Sequence, residues 1–420
     1  MLIDPVADMT MDRFTSLIPR ALRLPAPTVL MAALALAVAG PVRAQTPKPI
    51  DLVSFYQTDI RALAMGNAYG PVARGEGALL YNPAGLAQYD LDIKIEASLD
   101  LEGTSTEFLL DTQDLLGAGT TSEVQAYLDK YEGTTHLYRV QTFHHGIANL
   151  AKFSTGLGGG LMDVRRYRLE FQDPLNTPGD TSDDELHVEL QTAKLTFGAA
   201  AVQMFGGRLL MGVTGKSFTF TDEQTTPDPA FSDLVTQGEL DFTLTGDSYK
   251  ATAYDFGFIW RLETFSALRG QWSTTVFNVG GLKLTDNTTS NQIEIPQTVN
   301  VGLSLNPKFR VGELLLTVEV EDVGAAVKVR DRTTAVDYKR SLTQRTHAGL
   351  EYGLFGTTTG NHIVSLRAGV NRGQGTYGAE LNLFSVFRAA YTHYGDDLGH
   401  ENESEIVSLD AVHLGVGFGF

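Results

Sequence analysis

The chain has 420 residues, 43 of them glycine and none cysteine, and its 32 Lys and Arg against 50 Asp and Glu give a formal net charge of -18. The absence of cysteine excludes disulfide frameworks, thiolate metal sites, thiol nucleophiles and cysteine-linked lipid anchors. The acidic balance argues against nucleic acid as a partner, because phosphate binding needs clustered Lys and Arg. An apolar content of 43 % fits neither a bundle of transmembrane helices nor a disordered chain.

Residues 1–44 are predicted to be a secretory signal peptide. Arg20 and Arg23 precede an apolar run over 28–40 that is too short to cross a bilayer, and small residues surround the cleavage position at Ala44. A buried N-terminal helix is the alternative. Export through the inner membrane follows from the first interpretation.

Beyond residue 90 the sequence alternates between apolar and polar side chains, which is the period of a β-strand with two different faces. In 91–101 every odd position is apolar and every even position is polar. Fourteen segments follow this pattern, some more clearly than others: 91–101, 136–148, 153–171, 186–204, 208–221, 252–262, 270–284, 299–305, 314–321, 346–354, 362–370, 377–383, 386–394 and 410–420.

We predict an all-β fold over 91–420, a transmembrane antiparallel β-barrel of about 14 strands in the outer membrane of a Gram-negative cell. Such strands cross a bilayer when they close into a barrel, because closure leaves no unpaired edge. The connections alternate between long and short, with 371–376 as the exception, as expected when outer loops are long and periplasmic turns short. A soluble β-sandwich or propeller is the alternative, but it has no need for this alternation.

Residues 45–90 do not alternate and are rich in small residues, which predicts a compact plug, or hatch, inside the barrel. Asn82 is expected to cap a short helix that begins at Pro83, where a missing N–H costs nothing. Arg61 and Arg74 of the hatch are expected to pair with carboxylates that face the lumen. The sequence leaves the pairing open among the candidates Glu96, Glu319, Glu321 and Glu351.

Two short segments carry a resemblance to a known family. Arg61-Ala-Leu-Ala-Met65-Gly66-Asn-Ala, followed by Ala78-Leu-Leu-Tyr-Asn82-Pro83-Ala84-Gly-Leu-Ala, resembles the hatch of the FadL-type long-chain fatty-acid transporters and of the PorV-like barrels of secretion systems. The segment from Pro296 to Leu303 and the terminal Phe420 are also similar to that superfamily.

The resemblance implies a 14-stranded barrel with a hatch that passes hydrophobic small molecules, such as long-chain fatty acids, passively and without a cofactor. Its partners would be outer-membrane lipid and a hydrophobic ligand. The alternative function is a non-transporting scaffold or shuttle for secreted proteins, as in the PorV-like barrels. A lumen with a continuous apolar path would favour transport, and a purely polar lumen would favour the scaffold.

The first and third outer loops carry apolar residues where water is expected. We predict that these residues bind the substrate, since exposed apolar clusters mark interaction surfaces. The alternative is that the loops fold into short helices that hide the apolar faces over the barrel mouth. The residues are Phe108, Leu109, Leu110, Leu115, Leu116 and Leu128 in loop one, and Phe231 and Leu234 in loop three.

The third strand contains a cluster of glycines at Gly156, Gly158, Gly159 and Gly160. Missing side chains in a strand permit a bulge, a kink or a gap in the wall. The resemblance implies that this is a lateral opening, because FadL-type transporters release substrate sideways at their third strand. Simple room for packing against the hatch is the alternative.

The sequence shows none of the common catalytic motifs, so we expect neither an enzyme nor a cofactor. His144 and His145 form the only adjacent histidine pair, which is more often packing or lumen lining than a metal site. The acidic clusters within 180–185 and 396–405 are interpreted as solvated loops, with weak Ca²⁺ binding as the alternative.

Overall fold

The computed structural model describes residues 58–88, 93–104, 111, 127, 130–131, 135–150, 154–172, 185–225, 244–262, 268–286, 292–309, 311–324, 328–330, 337–339, 341–356, 362–383, 386–397 and 406–419. The predicted signal peptide and the start of the predicted hatch therefore lie outside the described residues.

A closed antiparallel sheet of fourteen wall strands forms the described body of the protein. In chain order these strands are β1 (Ile93–Gly103), β2 (Thr135–Leu150), β3 (Thr155–Gln172), β4 (Glu185–Met204), β5 (Leu209–Thr225), β6 (Leu244–Arg261), β7 (Gln271–Phe277, continued by Leu282–Asp286), β8 (Gln292–Ile295, continued by Thr298–Leu305), β9 (Gly312–Val320), β10 (Thr346–Leu354), β11 (Val364–Asn371), β12 (Gln374–Leu383), β13 (Phe387–Asp397) and β14 (Ile406–Gly419). Leu99 of β1 lies opposite both Thr142 of β2 and Leu414 of β14, so the sheet closes on itself. The predicted barrel of about 14 strands is confirmed.

Smaller elements complete the described chain. The hatch contains helices α1 (Ile60–Ala64) and α2 (Glu76–Leu80) and the 3₁₀ turns Gly70–Val72 and Pro83–Gln88. Another 3₁₀ turn, Phe205–Gly207, joins β4 to β5, and α3 (Leu342–Arg345) precedes β10. Lys308–Phe309 pairs with the start of β9, and Lys328–Arg330 pairs with Asp337–Lys339. None of the described helices has the length and apolar character needed to cross a bilayer.

The alternation of the sequence fixes which side chains face outward. In β1 the polar residues Glu96, Ser98 and Asp100 are buried in the lumen, whereas Ile95 and Leu101 are exposed. The same inversion of an ordinary protein, apolar outside and polar inside, recurs in β8–β14 and is the pattern of a membrane-spanning barrel. The exposed outward aromatic residues are Tyr254, Phe256, Trp260, Trp272, Tyr377, Phe387, Tyr391 and Phe418.

The wall is much taller on one side than on the other. Strands β2–β6 have 16 to 20 residues each, whereas β9–β12 have only 8 to 10. Along β6 the outward residues change from Trp260 and Phe256 to Thr252 and Lys250. Because about 9 to 11 tilted residues suffice to span a bilayer, the upper parts of β2–β6 project beyond the apolar belt.

The strand connections follow the predicted lengths with one difference. The short turns lie between β2 and β3, β4 and β5, and at every second connection thereafter, and the tight turn Arg372–Gly373 is the predicted exception among the others. The connection expected over 285–297 is shorter, since β7 continues to Asp286 and β8 begins at Gln292. β7 and β8 extend into this connection because each strand is interrupted and then resumes pairing with its neighbours.

Candidate functional site: lumen, hatch and wall

The lumen has two chemically different halves. The inward residues of β8–β14 and β1 are mostly charged or hydrogen-bonding, whereas those of β2–β7 form an apolar cluster with polar residues such as Gln141, Thr214 and Thr275 between its members. The apolar half is one continuous cluster that also includes Leu79 and Leu86 of the hatch. Its wall residues include Phe143, Ile147, Met162, Val164, Ala193, Leu195, Phe197, Ala201, Leu210, Phe218, Phe220, Tyr249, Ala253, Leu282 and Leu284.

The hatch is held in shape by side chains that bond to its own backbone. The Asp59 carboxylate accepts hydrogen bonds from the backbone N–H groups of Arg61 and Ala62, which caps α1. Asn82 accepts one from Ala84 N at 3.1 Å, and its amide donates to the carbonyl of Gly70 at 3.1 Å. The predicted cap at Asn82 and the helical turn that begins at Pro83 are confirmed.

Inward glycines of the wall provide the space in which the hatch lies. A Cβ atom at Gly212 would lie 2.4 Å from the carbonyl carbon of Pro83, and one at Gly349 would lie 2.2 Å from the carbonyl oxygen of Met65. Gly66 itself has a φ of +64° and sits against the strand backbone, where a side chain would not fit. Any larger residue at these positions therefore has to displace the hatch or the wall.

The glycines of β3 also serve this packing. A Cβ atom at Gly156 would lie 2.2 Å from the carbonyl oxygen of Leu86, and one at Gly158 would lie 3.0 Å from Leu79. β3 pairs with β2 and with β4 in unbroken register through Gly159 and Gly160. The wall has no gap at these residues in this structure, which favours the packing alternative.

A chain of ion pairs ties the hatch to the polar half of the wall. Arg61 donates from Nε and Nη2 to the two oxygens of Glu351, each at 2.7 Å, and Arg367 donates to the same carboxylate at 2.6 Å. The chain continues from Arg367 to Glu380 at 2.9 Å, and from there to Arg388 at 3.3 Å. Of the candidate carboxylates for Arg61, the structure therefore selects Glu351.

The chain of ion pairs ends at α2 and β1. Arg388 also pairs with Glu76 of the hatch, and Lys94 pairs with Glu76 at 3.5 Å and with Glu96. Burial opposes the ionised form of Glu76, but Lys94 and Arg388 hold the pKa of that carboxyl well below its usual range. Glu76 is therefore ionised when the hatch is docked.

Other candidate carboxylates bond to different groups. Glu319 accepts a hydrogen bond from the backbone N–H of Gly70 at 2.7 Å, and Glu321 pairs with His347 at 3.2 Å. Burial, reinforced by the positive charge of Arg61, lowers the pKa of Arg74 to about 10. Arg74 is thus a hatch cation whose charge is poorly compensated.

His145 lies where a metal ligand would be placed, but its surroundings do not favour a cation. His145, Glu76 and Glu96 present ligand atoms within 4.8 Å of one another. Lys94 and Arg388 already pair with both carboxylates, so the positive charge of a metal ion would be repelled there. His144, its sequence neighbour, faces outward.

The predicted substrate residues of loops one and three all lie outside the described residues. Sequence reasoning missed the apolar inner face of β3–β7, for which Leu195, Phe218 and Phe220 are examples. Its signal is present in the sequence, because these strands carry apolar residues on the inward face as well as along the lower part of the outward face. In such strands the alternation between apolar and polar residues is weak.

An interruption of the wall between β6 and β7 was also not predicted. Phe256 pairs with Val276 and Tyr249 with Asp286, so 286 - 276 = 10 steps along β7 face 256 - 249 = 7 steps along β6. The extra length lies at Asn278–Gly281, where Asn278, Gly280 and Gly281 have positive φ angles. The regular ladder is interrupted at this level, where a backbone hydrogen bond from Val279 N to the carbonyl oxygen of Tyr254, at 2.9 Å, still joins the two strands.

A buried ion pair lies behind the interruption. Lys216 Nζ is 2.8 Å from Asp255 Oδ2, and the other oxygen of Asp255 accepts a hydrogen bond from Asn278 N at 2.9 Å. Asn278 is fully buried, and its side-chain amide has no partner among the described residues. This ion pair places two charged groups within the apolar half of the lumen, at the level of the wall interruption.

Comparisons with known proteins give similarity only among solved structures. No protein-family model and no curated protein sequence matches the chain. The toluene transporter TbuX of Ralstonia pickettii is 11 % identical, with a TM-score of 0.49 over 87 % of this chain and 98 % of its own. The toluene transporter TodX of Pseudomonas putida is 12 % identical, with a TM-score of 0.46 over 87 % and 98 %. The translocator domain of the autotransporter NalP from Neisseria meningitidis is 11 % identical, with a TM-score of 0.38 over 86 % and 99 %.

Proposed function

We propose that this protein is an outer-membrane barrel through which uncharged or weakly polar hydrophobic small molecules pass passively. The observation that carries the proposal is the continuous apolar cluster in the lumen, which runs from the projecting upper parts of β5 and β6 down to Leu79 and Leu86 of the hatch. A solute on this face contacts the apolar side chains of the cluster and passes the Lys216–Asp255 ion pair at the level of the wall interruption. Each buried CH₂ group is worth about 0.8 kcal/mol, so transfer out of water supplies the driving force for entry.

The route proposed here begins on the concave inner face above the apolar belt. Phe218, Phe220 and Tyr249 lie on that face and are buried, while the outward side of the same strands is polar. A hydrophobic molecule that arrives from water would therefore partition to the inside of the wall. Long-chain fatty acids are of this kind when their carboxyl group is protonated.

Two exits are open to such a molecule. One is the interruption at Asn278–Gly281, where the ladder is reduced to the hydrogen bond from Val279 N to the carbonyl oxygen of Tyr254, so that opening needs only a local movement. The other leads past the hatch to the short-turn end and requires the hatch to move. The third-strand glycines are a less favoured exit, since the pairing there is continuous.

A scaffold for secreted proteins is the competing function, and the apolar lumen favours transport over it. An outer-membrane scaffold needs an apolar outer belt, but it has no requirement for an apolar inner wall.

Flux of an uncharged hydrophobic fluorophore into proteoliposomes tests the proposal. Leu195→Asn and Phe220→Asn should each lower the flux, because a polar group then interrupts the apolar path. Ser98→Asn is the matched control, since it adds the same group to the polar half of the lumen and should leave the flux unchanged. Equal flux in all three folded variants would contradict the proposed path.

A further inference from the structure

A cavity of about 110 Å³ lies between the hatch and the short-turn ends of β1, β2, β11 and β12. Its three lining carboxylates, Glu76, Glu351 and Glu380, belong to the chain of ion pairs that holds the hatch. Its cationic lining is larger and consists of Arg61, Arg74, Lys94, Arg367 and Arg388. The lining therefore has more positive than negative groups.

The ion pairs account for all but one of these cations. Arg61 and Arg367 share Glu351, Arg388 pairs with Glu380 and Glu76, and Lys94 pairs with Glu96, which lies just behind the lining. Four cations are thus matched by four carboxylates. The fifth cation is Arg74.

Arg74 has no carboxylate of its own among the described residues. Its ion pair there is a contact of 3.9 Å with Glu351 Oε1, an oxygen that already accepts a hydrogen bond of 2.7 Å from Arg61. Asp59, the other buried carboxyl of the hatch, does not line the cavity and bonds to backbone N–H groups instead. Its guanidinium is 18 % exposed and lines the cavity, so an anion bound there would supply the counter-charge that Glu351 gives only in part.

We propose that this cavity binds a small organic monocarboxylate through Arg74. A carboxylate matches the planar fork of a guanidinium and can accept two parallel hydrogen bonds from it. Ile147 and Tyr69 also line the cavity, so the apolar end of the acid has contacts that chloride or sulfate would not use. The volume limits the ligand to an acid of a few carbon atoms. A ligand bound here would stabilise the docked hatch.

Isothermal titration of the detergent-purified full chain with sodium propionate tests the site, with sodium chloride and sodium sulfate at equal ionic strength as comparison probes. Propionate should bind to the wild type more tightly than either inorganic anion. Arg74→Gln should weaken propionate binding about tenfold or more, as expected for loss of a charge-assisted hydrogen bond. Arg74→Lys should retain part of the affinity.

Arg269→Gln is the matched control, since Arg269 is an exposed arginine that pairs with Glu313 at 2.6 Å and does not line the cavity. It should bind propionate as the wild type does. Thermal unfolding separates a ligand site from a structural cation, because Arg74→Gln should leave the ligand-free midpoint unchanged or raised. Equal propionate binding by Arg74→Gln, equal binding of the three anions, or a lowered ligand-free midpoint in Arg74→Gln would overturn the proposal.

Discussion

The contact between Arg61 and Glu351 offers the sharpest test of how the hatch is held. Glu351→Gln removes the charge that faces both Arg61 and Arg367, whose side chains are 11 % and 2 % exposed. Breaking a buried ion pair in this way costs about 3 to 5 kcal/mol, because a buried charge is left without a partner. Arg367 keeps Glu380 and Arg61 keeps the hydroxyl of Tyr69, so the lower value, about 3 kcal/mol, is expected.

A change of about 3 kcal/mol shifts the docking equilibrium of the hatch by about two orders of magnitude. The wall should remain folded, since its strands pair independently of the hatch. Planar-bilayer recordings should therefore show more frequent or larger openings in Glu351→Gln, together with unchanged heat-modifiable migration on gels. Asp163→Asn is the control, because its partner Arg165 is 55 % exposed and such a pair is worth about 1 kcal/mol or less.

A double variant tests whether the unpaired charge of Arg61 causes the openings. In Arg61→Met with Glu351→Met the two partners are removed together and Arg367 keeps Glu380, so the openings should fall back toward those of the wild type. If Glu351→Gln has the conductance of the wild type, the Arg61–Glu351 ion pair does not hold the hatch. A double variant that opens more than Glu351→Gln would lead to the same conclusion.

Further predictions concern the hatch and its cradle. Deletion of 45–88 should leave a folded barrel with raised ion conductance in planar bilayers, and an unchanged conductance would place these residues outside the pore. Gly257→Ala should destabilise by about 1 to 3 kcal/mol through overpacking, since the new Cβ would lie 2.0 Å from the hatch. Gly198→Ala, with nothing within 4 Å, should not change the unfolding midpoint. Replacement of Gly158 and Gly160 by Val should disturb the hatch and raise conductance; a folded double variant that loses hydrophobic uptake with normal conductance would instead support a third-strand exit.

The sequence predicted the barrel well because one physical rule governs every strand. A residue of a closed wall faces either lipid or lumen, so the alternation seen in 91–101 had to recur wherever the chain crosses the membrane. The predicted segment 270–284 ran through the interruption of β7. The inward face changes there from Thr275 and Phe277 to Leu282 and Leu284, that is from odd to even positions, and this change was the available signal.

The pairing of the hatch could not be predicted in the same way. Arg61 and Glu351 are separated by 290 positions, and the sequence offered four carboxylates that face the lumen without ranking them. The glycine cradle was more accessible, since Gly156, Gly212 and Gly257 occupy inward positions where other strands carry side chains. Glycines at inward positions of several strands indicate a body inside the barrel. The sequence-based prediction used only the cluster in β3.

The proposed conduction of hydrophobic molecules along the apolar half of the lumen is tested by a direct comparison of two solutes. The initial flux into proteoliposomes is measured for an uncharged hydrophobic fluorophore and for a polar solute of equal size, with protein-free liposomes as the background. The hydrophobic solute should show a protein-dependent flux that Phe220→Asn reduces. The polar solute should show little flux while the hatch is docked. Hydrophobic flux equal to that of protein-free liposomes, or equal protein-dependent flux of both solutes, would contradict the proposed conduction.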